Sequence, residues 1–388
     1  MVSLLSVQIG FALDDSYTLE IEVRKFTSNP EFPSTYDSSY SFGFEPELKH
    51  SFGDGSLIFT VTPFGRWDSQ DEARDHADFR EFNFLYYSGE WEALFGFSKV
   101  FWGVAESSHL VDIVNQTDHL EGIDGEDKLG QPMIRLSRSF SQSTISTFIL
   151  PGFREREFLS QSNPLSLPFS VKSDPLYESD NGADQIDYAL RYSGYSGIVD
   201  YGVSWFHGTS RDPEYQPGAD GELIAFYSQI DQLGVDAQIT SDAWLWKLET
   251  IRRIFNDEAV AGNEDFTAAV GGIEYSIYGL REGLFDLGIL AEYHYDSRGD
   301  PSTVVFQNDL FTGLRFAFTD AESSEVLAGV FVDLDDQTSS FRLEGNRRVF
   351  TDFRLSLEAQ AFSNVDEQNV SYHLRNSDFV LVSLEMFF

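Results

Sequence analysis

His207 and Ser210, three residues apart in the stretch WFHGTSRD (205–212), are the side chains of this chain best suited to nucleophilic catalysis. A serine–histidine pair also needs a third group to orient the imidazole and hydrogen-bond donors for the oxyanion. Nothing near the pair in sequence supplies those donors, and histidine and serine are ordinary residues near a loop. We therefore expect no enzymatic activity and keep a lipid or ester hydrolase as a minor alternative.

Metal and cofactor chemistry has little support. The segment IDGEDKLG (123–130) has the composition of a calcium loop but lacks the spacing D-x-[DN]-x-[DN]-G, so calcium stays a weak alternative. The histidines show no ligand spacing such as H-E-x-x-H. The chain has no cysteine, which excludes disulfides, thiolate zinc sites and cysteine nucleophiles. We expect neither a metal nor a cofactor.

The composition excludes one class of partner and favours β-structure. With 26 Lys and Arg against 64 Asp and Glu, the 388-residue chain has a net charge of −38, so nucleic-acid binding, which needs a basic surface, is not expected. Aromatic residues make up 15%, with 36 Phe and 17 Tyr. No stretch approaches the roughly 18 apolar residues of a membrane-spanning helix. An aromatic-rich membrane barrel and an aromatic-rich soluble β-protein both fit.

The alternation of apolar and polar residues decides between them. About eighteen segments of strand length alternate with period two, from TLEIEVRKF (18–26) to DFVLVSLEMFF (378–388). Tight turns such as SGE and TSD alternate with connections that mostly run from about ten to more than thirty residues. We predict an all-β fold, a transmembrane antiparallel up-and-down barrel of about 18 strands, with periplasmic termini and long extracellular loops.

One domain accounts for nearly the whole chain. The apolar start, which reaches the small-residue site Gly10-Phe11-Ala12, favours a signal-peptide remnant over residues 1–13, with a short first strand as the alternative. Residues 14–388 are predicted to form a single barrel with long loops at 101–131 and 152–183.

The end of the chain carries a family resemblance. The alternating set Val382, Leu384, Met386 and Phe388 resembles the C-terminal assembly signal of bacterial outer-membrane β-barrels. The strand count resembles the larger substrate-selective porins, and residues 99–132 are similar to a group of porin-like proteins. The resemblance implies the outer-membrane bilayer of a Gram-negative bacterium, recognition by the barrel-assembly machinery and passage of small hydrophilic solutes. A homo-oligomer is left open.

If the alternating set of the last strand faces lipid, the interleaved residues face the lumen. The residues that we expect to line the pore are Arg135, Lys247, Glu249, Asp286, Glu292, Arg315, Arg342, Glu344, Arg354 and Glu358. Charges at mid-depth require a wet or internally paired lumen. Pairing across neighbouring strands as structural ladders is the competing interpretation. Over all inward-facing strand positions and the third loop together, acids outnumber bases, so we predict a preference for cations. Glu344 and Glu358 are expected to neutralise Arg315, Arg342 and Arg354.

The third external loop, about 101–131, is predicted to fold inward and narrow the channel; an external lid is the alternative. ESSHLVDIVNQ within it favours a short helix, capped by Ser107 or Ser108, with an apolar stripe. The acids expected to face wall arginines are Glu106, Asp112, Asp118, Glu121, Asp124, Glu126 and Asp127.

The function that follows is a porin-like channel for passive or weakly selective diffusion. A structural or surface-interaction barrel, whose lumen is plugged by the two long loops, is the rival from a different class.

Overall fold

The chain forms a closed barrel of eighteen antiparallel strands. The computed structural model describes residues 13–28, 36–219, 221–256, 264–299 and 305–388. Each barrel strand pairs with the next along the chain, and the last pairs with the first. The prediction of an up-and-down barrel is therefore confirmed. Residues 1–12 of the predicted signal remnant lie outside the described residues.

The strands are, in chain order, β1 Leu13–Phe26, β2 Ser38–Phe52, β3 Leu57–Asp68, β4 His76–Ser88, β5 Trp91–Ser98, β6 Gln131–Ser139, β7 Ser143–Pro151, β8 Ile186–Ser196, β9 Val199–Thr209, β10 Gln229–Ser241, β11 Trp244–Phe255, β12 Phe266–Gly279, β13 Phe285–Asp296, β14 Asn308–Phe318, β15 Glu325–Asp333, β16 Ser339–Arg348, β17 Phe353–Ser363 and β18 Phe379–Phe387.

Strand β8 shows why this sequence forms a barrel. Ile186, Tyr188 and Leu190 are 43%, 43% and 44% exposed, whereas Asp187 and Ala189 between them are 0% and 2% exposed. Successive side chains of a strand point to opposite faces. The exposed apolar face is therefore the outside of the barrel, where lipid would lie, and the buried face points into the interior.

The connections differ in length at the two ends of the barrel. Eight turns close one end, at 53–56, 89–90, 140–142, 197–198, 242–243, 280–284, 319–324 and 349–352. The other end carries the long connections, among them 99–130 (here loop L3), 152–185 (loop L4) and 210–228 (loop L5). Both Leu13 and Phe388 lie at the tight-turn end. The predicted alternation of short and long connections is confirmed.

Helical structure is minor. Within the described ranges the longest helix is the five-residue 3₁₀ segment Val370–Leu374. Among the described residues no helix has the length and apolar character needed to cross a membrane. A small sheet of Leu176–Tyr177, Glu214–Pro217 and Leu223–Tyr227 joins L4 to L5 at the loop end.

Candidate functional site

Loop L3 crosses the interior of the barrel. The carboxylate of Glu249, on β11, accepts hydrogen bonds from L3, and the guanidinium of Arg66, on β3, donates to Glu121 of L3 at 2.8 Å. Strands β3 and β11 are eight apart in a closed sheet of eighteen, so they stand nearly opposite each other. A loop that contacts both walls must run through the lumen.

Two buried wall carboxylates hold the first half of L3. Glu249 accepts from the backbone N–H groups of Val104 and Ala105 at 2.7 and 2.9 Å, and from that of Val111 at 3.2 Å. Glu292, on β13, accepts from the N–H groups of Glu106 and Ser107, each at 2.9 Å. Glu249 and Glu292 are 0% and 2% exposed. Hydrogen bonds to ionised acceptors are stronger than neutral ones, so these carboxylates are effective anchors.

The predicted helix in this loop is wrong. Residues 104–116 contain no helix in the structure and only a single hydrogen-bonded turn, in which the N–H of Asp112 donates to the carbonyl of His109 at 3.3 Å. One physical reason is Glu249, which takes the N–H of Val111, a group that a helix capped by Ser107 would bond to its own first carbonyl. The other bound N–H groups, of residues 104–107, lie before the predicted helix or at its start. Ser107 is no helix cap; its hydroxyl donates to Glu292. Tertiary hydrogen bonds have thus replaced the local ones that the periodicity favoured.

The apolar residues of L3 are buried against the inner wall. Val111, Ile113 and Val114 are 0%, 3% and 0% exposed. They pack with inward-facing wall residues, which include Phe148, Phe206, Ile230, Ile251 and Phe266. Gly234 on β10 allows this approach, because a Cβ atom there would stand 3.2 Å from Cγ1 of Val111. The apolar residues of L3 therefore fill the lumen beside strands β7 to β11.

The acids of L3 have different partners. Four of them form ion pairs with basic side chains of the wall. Glu106 contacts Arg315 at 2.6 Å and Lys247 at 3.2 Å. The other three pairs are Asp118 with Arg80 at 2.6 Å, Glu121 with Arg66 at 2.7 Å, and Asp124 with Arg342 at 3.0 Å. Two pair within the loop, Asp112 with Lys128 at 3.3 Å and Glu126 with His109 at 3.3 Å. Asp127 is tied to Asp118 through its backbone carbonyl.

A buried ion network supports the far side of L3. Arg74 donates to Asp68 at 2.8 Å and to Glu22 at 2.9 Å, and also to the carbonyl oxygen of Leu120 in L3 at 2.8 Å. Arg66 completes the network through Glu22 at 2.8 Å. Removing one member of such a network leaves a buried charge without its partner.

The other predicted wall residues have partners on the wall itself. Arg135 pairs with Glu92 on the neighbouring strand, and Asp286 accepts from the N–H of Gly279 at 2.7 Å beside a tight turn. Arg342 pairs with Glu344, as expected. Arg354 contacts Glu385 at 3.4 Å, so the expectation that Glu358 neutralises it needs correction. The reason is register: Glu385 stands directly opposite Arg354 across β17 and β18, whereas Glu358 stands opposite Leu381.

His207 and Ser210 do not form a catalytic pair, and a cluster of one histidine and two acids elsewhere has arginine partners. His207 stacks on Trp205 on the outer face and contacts Asp231 at 3.2 Å, whereas the Ser210 hydroxyl donates to the carbonyl of Asp212 at 2.8 Å. Ligand atoms of His76, Asp118 and Glu121 lie within 4.8 Å of one another. Arginines already bind both of these carboxylates, so the ion network accounts for this cluster.

Loop L4 closes much of the loop end. Asn163 donates to Asp71 at 2.7 Å, and the carbonyl of Pro164 accepts from Ser377 at 2.7 Å. Leu165 packs with Phe26 and Phe379, which face inward from β1 and β18. The sequence analysis missed these contacts, although the apolar run LSLPFSV (165–171) inside a loop was a usable signal.

Free volume lies on two sides of L3: a space of about 240 Å³ against strands β11 to β13, and a second space against strands β14 to β17. A cavity of about 150 Å³ is bounded by Asp124, Phe331 and Arg342. Towards the tight-turn end it gives way to a space of about 40 Å³ beside Glu106, Glu126, Phe311 and Glu344. This smaller space, here called the narrow space, has room for water.

The two carboxylate anchors give a testable prediction. Glu249→Gln and Glu292→Gln are each expected to loosen L3 and to make it more sensitive to protease in the assembled protein. The glutamine amide would point an N–H donor at backbone N–H groups and leave them without an acceptor. Each buried group left unsatisfied costs about 1–3 kcal/mol of stability. Limited proteolysis with mass-spectrometric mapping of residues 99–130 measures the effect.

Glu47→Gln is the matched control, because Glu47 lies on the wall and pairs at 2.8 Å with Lys49, where both side chains are partly exposed. Equal cleavage of L3 in the anchor variants and in this control would show that the carboxylates do not hold the loop.

Comparison with known proteins identifies the fold. No family model and no curated protein matches the sequence. OccAB3 of Acinetobacter baumannii is 10% identical with a TM-score of 0.58, over 97% of this chain and 99% of that chain. OccD3 (OpdP) of Pseudomonas aeruginosa is 8% identical with a TM-score of 0.55, over 97% and 91%.

A third similar structure is Wzi of Escherichia coli, an outer-membrane protein involved in group 1 capsule assembly and a carbohydrate-binding β-barrel. It is 10% identical with a TM-score of 0.54, over 95% of this chain and 84% of that chain. The chain thus has the fold of an outer-membrane β-barrel of the porin type.

Proposed function

We propose that the protein is a narrow channel in the outer membrane of a Gram-negative bacterium, through which small hydrophilic solutes diffuse without a catalysed reaction. The observation that carries the proposal is the closed barrel with charged side chains inside it and an internal loop that leaves free volume on two of its sides. Selectivity in such a pore depends on its radius and on the charges that line it. The OccAB3 and OccD3 likeness supports the architecture.

A plugged barrel with a structural or surface-interaction role is the second candidate. The inward packing of L3 and the closure of the loop end by L4 favour it, and Wzi is a barrel of this fold that binds carbohydrate. The two candidates differ in one measurement, the conductance of the purified protein in a planar bilayer. Discrete current steps support the channel, and a silent bilayer supports the plugged role.

Cations are expected to permeate more easily than anions. The narrow space beside L3 is bordered by Glu106, Glu126 and Glu344 and by a single arginine, Arg342. Fixed charge acts more strongly in a narrow, partly dehydrated lumen than on an open surface. The preference should weaken as salt shortens the Debye length from about 10 Å at 0.1 M to about 3 Å at 1 M. The reversal potential in a KCl gradient measures it.

Glu106→Gln/Glu126→Gln is expected to shift that reversal potential towards zero. Glu47→Gln is expected to change it little, because Glu47 does not border the narrow space and pairs with Lys49 where both side chains are partly exposed. A wild-type potential of the sign that marks chloride preference would contradict the prediction and would favour anionic cargo.

A further inference from the structure

A second cavity, here called the vestibule, opens at the loop end of the barrel. It has a volume of about 600 Å³ and is bounded by L3, L4 and L5, by Val305, and by the loop that contains Val370 and Leu374. Clefts of roughly 300–1,000 Å³ are the usual size of small-molecule sites. Because several separate loops converge on it, the vestibule is a product of the tertiary structure and of no single segment.

Most of the vestibule lining is apolar, although it lies at the end of the barrel away from the lipid-facing belt. The apolar side chains that L4 contributes include Phe158, Leu159, Leu165, Leu167 and Phe169. Phe169, Val305 and Val370 are 54%, 47% and 42% exposed. Covering apolar surface is favourable by roughly 25 cal/mol per Å². An apolar ligand body would therefore gain free energy by covering these side chains.

The polar groups of the lining are uncharged or already paired. Burial and the nearby charge of Arg156 lower the pKa of His119 to about 3, and burial lowers the pKa of His373. Both imidazoles are therefore neutral at physiological pH. The guanidinium of Arg156 donates to Asp212 at 2.8 Å and to the carbonyl of Arg211 at 3.1 Å. Arg156 is the one charged side chain among the described lining residues; its Nε has no hydrogen-bond partner but is buried, and its Nη2 group is already taken by Asp212 and Arg211.

We propose that the vestibule binds small uncharged amphipathic molecules that combine a ring-sized apolar body with a hydrogen-bonding group. The apolar body packs against the apolar side chains of the lining. The polar end forms hydrogen bonds with the neutral imidazoles and the hydroxyl groups of the lining. A charged end would lose its hydration without gaining a partner. Binding in the vestibule does not depend on the channel function; only the physiological role of that binding rests on it.

The vestibule leads into the proposed channel. It shares Ile123, Val305, Ser371 and Leu374 with the inner cavity that Asp124 and Arg342 border. A molecule held in the vestibule would thus stand at the entrance of the path along L3. A bound ligand would therefore stand between the loop end and the narrow space.

Three probes with the same body separate charge from shape. Equilibrium dialysis of the protein in lipid nanodiscs would measure binding of 4-nitrobenzyl alcohol, 4-nitrobenzoate and the 4-nitrobenzylammonium ion, with empty nanodiscs as the background. We expect saturable binding of the alcohol to one site and at least tenfold weaker binding of both ions. Equal binding of an ion, or no saturable binding above the empty discs, would overturn the proposal.

A pair of variants locates the site. Leu167→Ser/Phe169→Ser is expected to weaken binding of the alcohol by about tenfold, the usual scale for lost apolar contacts in a pocket. Leu176→Ser is the control, because Leu176 is in the same loop and 45% exposed but does not border the vestibule. Equal loss in both would refute the location. Conductance is measured separately. If the protein conducts but does not bind the alcohol, only the vestibule proposal fails. If it binds the alcohol but does not conduct, only the channel proposal fails.

Discussion

Deleting residues 106–127 is expected to raise the single-channel conductance several-fold. The segment contains the buried residues Val111, Ile113 and Val114 and the acids that meet the wall at Arg66, Arg80, Arg315 and Arg342. Its removal empties the part of the lumen that L3 now occupies, so ions would pass through a wider, more hydrated section. Single-channel recording in planar bilayers, before and after deletion, measures the change.

Folding has to be separated from gating in this experiment. The deletion exposes apolar wall residues such as Phe148 and Phe206 to the lumen and leaves Glu292 without its loop partners, so the variant must first show the heat-modifiable mobility of an assembled barrel. Deleting residues 364–368, a largely exposed stretch between β17 and β18, is the control and should leave the conductance unchanged. An assembled L3 deletion with wild-type current would show that the loop does not limit permeation.

Loss of the last residue, or a charge on the outer face of the last strand, is expected to abolish assembly. Phe388 exchanges two backbone hydrogen bonds with Tyr17, at 2.8 and 3.1 Å, and its ring stacks on that of Tyr17. Leu384 stands opposite Ile21 on β1 and Leu355 on β17. Because β18 pairs on both sides, an unpaired or wrongly inserted last strand leaves open sheet edges in the membrane, where backbone groups find no water.

The variants are deletion of Phe388 and Leu384→Asp, and the readout is the compact, heat-modifiable band on a gel. Glu385→Gln is the matched control, since Glu385 lies on the same strand but faces inward towards Arg354. We expect the control to assemble and the two variants to remain unfolded. A compact band of wild-type intensity from both would exclude the proposed role of the C-terminal strand, including its recognition by the assembly machinery.

The barrel was predictable because its signal is local. Lipid-facing and lumen-facing positions alternate along every strand, as Ile186, Asp187 and Tyr188 do in β8, so each ten-residue segment carries the pattern independently. Turn lengths are equally local, and they predicted that the first and last strands have their outer ends, Leu13 and Phe388, at the tight-turn end of the barrel. Eighteen such segments with alternating connections leave few other folds.

The interior was less predictable. The periodicity of residues 106–116 favoured a helix, but Glu249, more than a hundred residues away, takes the N–H of Val111, and together with Glu292 it holds the preceding residues 104–107 against the wall. Arg354 finds its partner on β18 because of strand register and not because of its spacing from Glu358. The pairing of L3 acids with particular arginines also depends on which walls the loop reaches.

Sequence alone determined that this chain closes into a barrel with an apolar outside and a charged inside, because that information repeats every two residues along each strand. The sequence favoured an inward fold of L3, but only the tertiary structure decided which walls the loop reaches, that L4 brings Leu165 onto Phe26 and Phe379, and that several loops enclose the vestibule. These features depend on contacts between residues far apart in the chain. Such contacts form only when the closed sheet fixes the distances and directions between its walls, and no local pattern in the sequence records those distances.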